Sequence, residues 1–189
     1  MRSAAVLLLG LSVAGAGTAT TPVIEFPGTV KELRSPNGTM RVTYVQLPGK
    51  PSEIATYELR VEAVGERPQR ILSFERDATL QWSSDSKSLY ISNVWGSNVA
   101  DCYVAWPSKH PLKLVNLTEV IYRLFPEPAK FLKHADHGYV VCDGWNDPGH
   151  LRFTVYGDIF PAEYRYTFVY DLKAGAAKQL SAKVTKTNR

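Results

Sequence analysis

Apolar and polar positions along the chain fall into short alternating runs broken by polar turns. Met40, Val42 and Tyr44 alternate with polar neighbours, and so do Tyr57, Leu59 and Val61. This is the period-two signature of strands with one buried face. Ser35-Pro36-Asn37-Gly38-Thr39 precedes the first run and supplies Asn-Gly, a pair that tolerates the positive φ of a tight turn. A loop over 46–55, a turn over 64–68 and a strand over 69–74 follow. The same order then returns. Leu80 and Trp82 lead into a Ser/Asp turn over 83–88, followed by a strand at 89–94, a loop at 95–98 and a strand at 102–106. A Pro-bounded turn at 107–111 and a strand at 112–115 complete that unit. A third pass begins with residues 139–145 and the turn Asn146-Asp147-Pro148-Gly149. Leu151, Phe153 and Val155 then alternate, a loop is expected over 157–163, and Tyr166, Phe168 and Tyr170 alternate before the turn 173–176 and a strand at 178–181.

Between the second and third passes the period changes. Asn116-Leu117-Thr118-Glu119 has the form of a capping box, and Leu117, Val120, Ile121 and Leu124 fall at helical spacing until Pro126 and Pro128. The expected architecture is therefore all-β, with blade-like antiparallel meander repeats forming a partial or open propeller and one short inserted helix. The units span 24–75, 76–116 and 134–182, the helical insertion covers 117–133, and a basic tail occupies 183–189. Four strands per unit at a period of roughly 40–60 residues is the pattern of propeller blades, although closed propellers use four to eight of them.

The turn sequences carry a resemblance. Ser35-Pro36-Asn37-Gly38 before Met40-Arg41-Val42, and Trp82-Ser83-Ser84-Asp85-Ser86-Lys87 before Leu89-Tyr90-Ile91, resemble the Trp-Ser-Pro-Asp-Gly-Lys pattern of TolB-type, WD40-like β-propeller repeats. Residues 166–175 are similar to the strand and turn that close such a blade. The resemblance implies a binding platform and names no ligand. With three units, sheet edges stay open, and self-association through those edges is an expectation.

Export is read from the first residues. Arg2 precedes the short apolar run 4–11, and small residues lead to Ala19, the layout of a secretory signal peptide over 1–19. The run is too short to anchor the chain as a membrane span, so no integral membrane segment is expected after cleavage. The formal charge is +4 and falls by one when Arg2 leaves. The basic residues are scattered, which argues against nucleic acid as a partner. Cys102 and Cys142 leave two readings open in an exported chain: a disulfide closing a loop of about 40 residues, or two buried thiols.

Chemistry-bearing residues are few. His134, Asp136, His137, Cys142, Asp143, Asp147 and His150 are the densest group of ligand-type side chains, but their spacing fits a polar turn better than a metal site, and no metal or cofactor is assigned. No nucleophile elbow or phosphate-binding glycine loop is present. If the three units are equivalent, the loops 48–56, 95–101 and 157–163 share one rim. Trp95, Asn98, Asp101, Asp158 and Glu163 are then the candidate binding residues, a mixture of aromatic, amide and carboxylate that suits a glycan or a protein partner. The expected function is that of an exported, non-catalytic binding module. A small secreted hydrolase or metal-dependent enzyme drawing on residues 136–150 is the alternative. Asn37-Gly38-Thr39 and Asn116-Leu117-Thr118 also fit the glycosylation sequon.

Overall fold

The structure, a computed structural model, describes residues 21–50 and 54–186. The leader expected over 1–19 and the last three residues of the basic segment lie outside the described residues. The chain begins with β1 (Ile24–Phe26). It then builds a four-stranded antiparallel sheet from β2 (Glu32–Arg34), β3 (Met40–Gln46), β4 (Tyr57–Ala63) and β5 (Gln69–Phe74). A second meander follows: β6 (Asp77–Trp82), β7 (Leu89–Val94), β8 (Val99–Trp106) and β9 (Lys113–Asn116). Helices α1 (Leu117–Leu124) and α2 (Pro126–His134) lead to a third: β10 (His137–Asp147), β11 (His150–Ile159), β12 (Ala162–Asp171) and β13 (Ala176–Lys186). Antiparallel meanders with a small helical insertion are the fold class that the strand pattern predicts.

The first two meanders share a turn of matching chemistry. Ser35 Oγ accepts a hydrogen bond from Met40 N at 3.0 Å and donates to Asn37 Oδ1 at 2.8 Å. Ser83 Oγ accepts from Ser88 N at 3.0 Å and donates to Asp85 Oδ1 at 2.7 Å. The backbone closes both turns alike, Gly38 N to Ser35 O at 2.8 Å and Ser86 N to Ser83 O at 2.9 Å. Both turns need a residue of positive φ, and Gly38 (71°) and Ser86 (64°) occupy that place. Serine there meets the steric cost of the left-handed region, and it has a use: Ser86 Oγ accepts from Asn37 N at 3.0 Å, tying one turn to the other. The third meander turns differently, through Pro148 and Gly149, with Gly149 N donating to Asp147 Oδ1 at 2.8 Å. The turn motif is therefore used twice, not three times.

Two cores result, and the β7–β8 hairpin feeds both. Leu89 and Ile91 of β7 and Ala105 of β8 join Ala78, Leu80 and Trp82 of β6 against Phe26, Val42, Leu59 and Phe74. Tyr90, Cys102 and Val104, on the opposite face of the same hairpin, join Leu117, Val120 and Ile121 of α1 and the inward rows Leu151, Phe153, Val155 and Tyr164, Tyr166, Phe168, Tyr170. The molecule is thus three layers: the first sheet, the β6–β9 meander, and β10–β13 with the helices. Trp82 is fully buried, and its Nε1 reaches Leu33 O of the first sheet at 3.4 Å.

The second and third meanders are not separate sheets, which corrects the picture of three equivalent units. β8 offers one free edge, and β9 and β10 divide it. β9 pairs with residues 103–106, while β10 pairs in parallel at Gly138↔Val99 and Tyr139↔Ala100. β10 then crosses the face of the meander. Cys142 N donates to Ser92 Oγ of β7 at 2.8 Å, and Trp145 Nε1 donates to Gln81 O of β6 at 3.2 Å. The Cys102–Cys142 disulfide pins this crossing with a Cα separation of 5.3 Å, so the bridged reading of the cysteine pair holds. Its chain separation of 40 residues makes it worth about 3–4 kcal/mol in the loop-entropy account.

The helical insertion is two helices where one was expected. Asn116 caps α1 by accepting from Thr118 N at 2.8 Å, and Phe125 both ends α1 and begins α2, with Pro126 in the first-turn position that proline favours. Residues 183–186, expected in a tail, continue β13. Both end faces of the layered stack are polar. Arg34, Arg41 and Arg60 pair with Glu32, Glu62 and Glu58 on the first sheet, and Arg152, Arg165 and Lys183 stand on the outer face of the third meander. Exposed pairs of this kind add little stability.

Replacing Trp82 by alanine is expected to lower unfolding free energy by about 3–5 kcal/mol. Equilibrium denaturation of the variant checks this; a loss below about 1 kcal/mol would show that the two sheets do not depend on this contact.

Candidate functional site

A groove of roughly 520 Å³ lies on the outer face of the third meander, at the end where β11 turns into β12. Register builds it. Tyr139, Tyr156, Arg165 and Lys183 pair in one row across β10, β11, β12 and β13. His137, Asp158, Glu163 and Thr185 pair in the next row. All eight residues line the groove. Same-face residues two apart along a strand are about 7 Å apart, and four strands span about 14 Å, so the two rows make a two-row rectangular platform.

The rows differ in chemistry. The rings of Tyr139 and Tyr156 stack at 4.9 Å with planes 23° apart, and the Arg165 guanidinium lies 4.9 Å from the Tyr156 ring centre. Burial, first, raises the Tyr156 phenol above its ordinary value, so it remains a neutral donor. In the other row His137 Nδ1 sits 3.2 Å from Asp158 Oδ1. Cationic and anionic side chains thus stand in adjacent rows, beside an aromatic surface. Phe160, 72 % exposed, adds an apolar lip at the turn.

Glycine makes the platform's end possible. Gly138 and Gly157 pair across β10 and β11 on the inner face. A Cβ on Gly157 would lie 1.8 Å from His137 O and 2.7 Å from the Tyr164 hydroxyl, and one on Gly138 would lie 3.3 Å from Leu132 Cδ2. Tyr164 therefore lies across both glycines and fills the space their missing side chains leave, as aromatic residues do opposite glycine in designed sheets.

The five residues expected on a loop rim divide into two groups. Asp158 and Glu163 line the groove, but as directly paired strand residues: the segment 157–163, expected as a loop, is strand except for Phe160 and Pro161. Trp95 and Asn98 belong to the β7–β8 connection beside it, and Asp101 stands in β8. Trp95, 48 % exposed, donates from Nε1 to Asp101 Oδ2 at 3.0 Å. Asp101 also accepts from the Tyr103 hydroxyl at 3.4 Å and from Thr118 Oγ1, which ties β8 to the first turn of α1. Asn98 Nδ2 donates to Asp136 O at 3.1 Å, Gly138 N donates to Asn98 O at 3.0 Å, and the Tyr139 hydroxyl donates to Ser97 O at 2.9 Å. This connection braces the start of β10. The loop 48–56 contributes no groove residue among those described. Tyr139, Tyr156, Arg165, Lys183 and Thr185 were not singled out from sequence. Their alternation was visible, but the register that gathers them was not.

The ligand-type group at 134–150 is dispersed. Cys142 is in the disulfide, His137 belongs to the groove, and His150 lies at the far hairpin. Among the described residues, no three His, Cys, Asp or Glu side chains gather as metal ligands. His150 Nδ1 is 2.9 Å from Asp147 Oδ2 and its Nε2 is 3.8 Å from Asp171 Oδ2. The Asp147 hydrogen bond raises the imidazole's pKa above the ordinary value and lowers that of the Asp147 carboxyl.

No protein-family model matches the chain, and no curated protein matches it in sequence.

Two outcomes follow from this geometry. Gly157→Ala is expected to shift the β10–β11 pairing, so that the amide NMR signals of 137–139 and 156–158 move together and stability falls; an unchanged spectrum would contradict the close approach. His150 is expected to titrate above about 6.5, the ordinary histidine value, in an NMR pH series, and Asp147→Asn to return it toward that value. Because the folded value is raised, the contact's stabilisation is present below the unfolded-state value and is lost as pH rises through the folded one. A midpoint at or below the ordinary value would refute the pairing.

Proposed function

We propose that this chain is an exported, non-catalytic binding module of the β-propeller-repeat kind, and that the outer groove of its third meander takes a glycan. The observation that carries the reading is the pair of in-register rows. The stacked Tyr139 and Tyr156 offer an aromatic surface for the apolar face of a sugar ring. Asp158 and Glu163 accept hydroxyl hydrogen bonds along one side, and Arg165 and Lys183 donate along the other. A shallow, open groove with a rigid strand floor suits a segment of a longer chain, because strands hold their side chains more precisely than loops do. Export is supported by the leader-like first residues and by the Cys102–Cys142 disulfide, which persists in oxidising compartments. The matched Ser35 and Ser83 turns support the repeat reading.

The test is an oligosaccharide array probed with the chain from Thr20 onward, followed by calorimetry on the best binder. Tyr156→Ala and Arg165→Gln are each expected to weaken binding about tenfold, or roughly 1.4 kcal/mol, with the circular dichroism spectrum unchanged. Binding that ignores both variants, or an array without binders, would sink the reading. Shortening of the bound oligosaccharide would replace it with the hydrolase alternative.

A further inference from the structure

We propose that the free edge of β13 docks an extended segment of a partner protein in which apolar and acidic residues alternate. The fold treats its other edges differently. Strands at a sheet margin expose unpaired N–H and C=O groups and invite pairing, and short length is one common protection. Here β1 and β2 are 3 residues each, β9 is 4 and β5 is 6. Among the described residues β13 ends the strand order of its sheet with its outer edge unpaired, and it runs for 11 residues with no proline.

The two faces of β13 define the partner. On the inner face, Ala177, Ala182 and Val184 continue the rows of Tyr170, Tyr166 and Tyr164. Val184 is 46 % exposed, and Leu180, at the register shift, is 53 % exposed. Apolar residues of an added strand would extend these rows and cover that surface. On the outer face, Lys178 and Lys183 stand opposite Val169 and Arg165. The strand Ala-Ala-Lys-Gln-Leu-Ser-Ala-Lys-Val-Thr-Lys contains no acidic residue. Carboxylates on the outer face of an added strand would meet these lysines, and opposite charges across a strand pair are favourable. Backbone hydrogen bonds would supply affinity and the alternation specificity, as in strand addition generally.

The lysines also discriminate. An antiparallel pairing of two copies of β13 centred between Leu180 and Ser181 sets Lys178 against Lys183, and like charges directly opposed destabilise a pair. The charges that disfavour that register of self-pairing accept an acidic strand.

The experiment measures amide hydrogen exchange by NMR on the chain from Thr20 onward. The probe is an acetylated peptide alternating valine and glutamate over the length of β13, and the control alternates valine and lysine. At saturation the amides of 176–186 that face away from β12 are expected to exchange about tenfold more slowly with the glutamate peptide and to be unaffected by the lysine peptide. Lys178→Glu, which lies outside the groove, is expected to reverse that preference. Unchanged β13 exchange, or slowing confined to 137–139 and 156–158, would overturn the proposal, the latter by placing the peptide in the groove. Protection of β13 that rises with protein concentration alone would overturn it in favour of self-pairing. Glycan binding by the groove stands or falls separately.

Discussion

Both cores depend on one hairpin, whose first strand, β7, has no solvent face. From Leu89 to Asn93 every residue of β7 is buried, with successive side chains sent to opposite sides. Leu89 and Ile91 hold the first sheet, while Tyr90, with Cys102 and Val104 of β8, holds the helices and the third meander. A strand in this position cannot slip by one residue without exchanging its two cores, so its register is strongly specified. The burial of Ser92 follows from the same constraint and is satisfied by Cys142 N, which brings β10 across the hairpin where the disulfide then fixes it.

Because the hairpin supplies the interior, the outer faces are left for solvent and for partners. The first sheet ends in a lattice of arginine and glutamate, and the third meander ends in two rows that mix tyrosine with both signs of charge. The difference between these faces lies in aromatic content and in shape. One is flush with paired side chains. The other is hollowed at the end where Gly138 and Gly157 let β10 and β11 approach. The groove therefore depends on two residues with no side chain and on Tyr164, whose ring fills the inner side that they vacate.

The edges are treated as unequally as the faces. Three- and four-residue strands close off most margins, and the 11-residue β13 does not. Its exposed Val184 lies on the side opposite Lys178 and Lys183, an amphipathic arrangement that follows from strand alternation. Groove and edge meet at Lys183, which belongs to the outer face through its side chain and to the margin through its backbone.

Sequence alone determined the all-β class, the polar turns at Ser35 and Ser83, and the amphipathic α1 with its Asn116 cap. Each of these rests on interactions within a few residues, where composition and period are sufficient. It also marked Asp158 and Glu163 as binding candidates, though for a loop that is in fact strand. The tertiary structure decided what long-range pairing decides: that β10 shares the edge of β8, that Cys102 meets Cys142, and that Tyr139, Tyr156, Arg165 and Lys183 stand in one row. Residues up to 44 positions apart form that row, and their meeting depends on the register of three strand pairs, which alternation within each strand leaves unspecified.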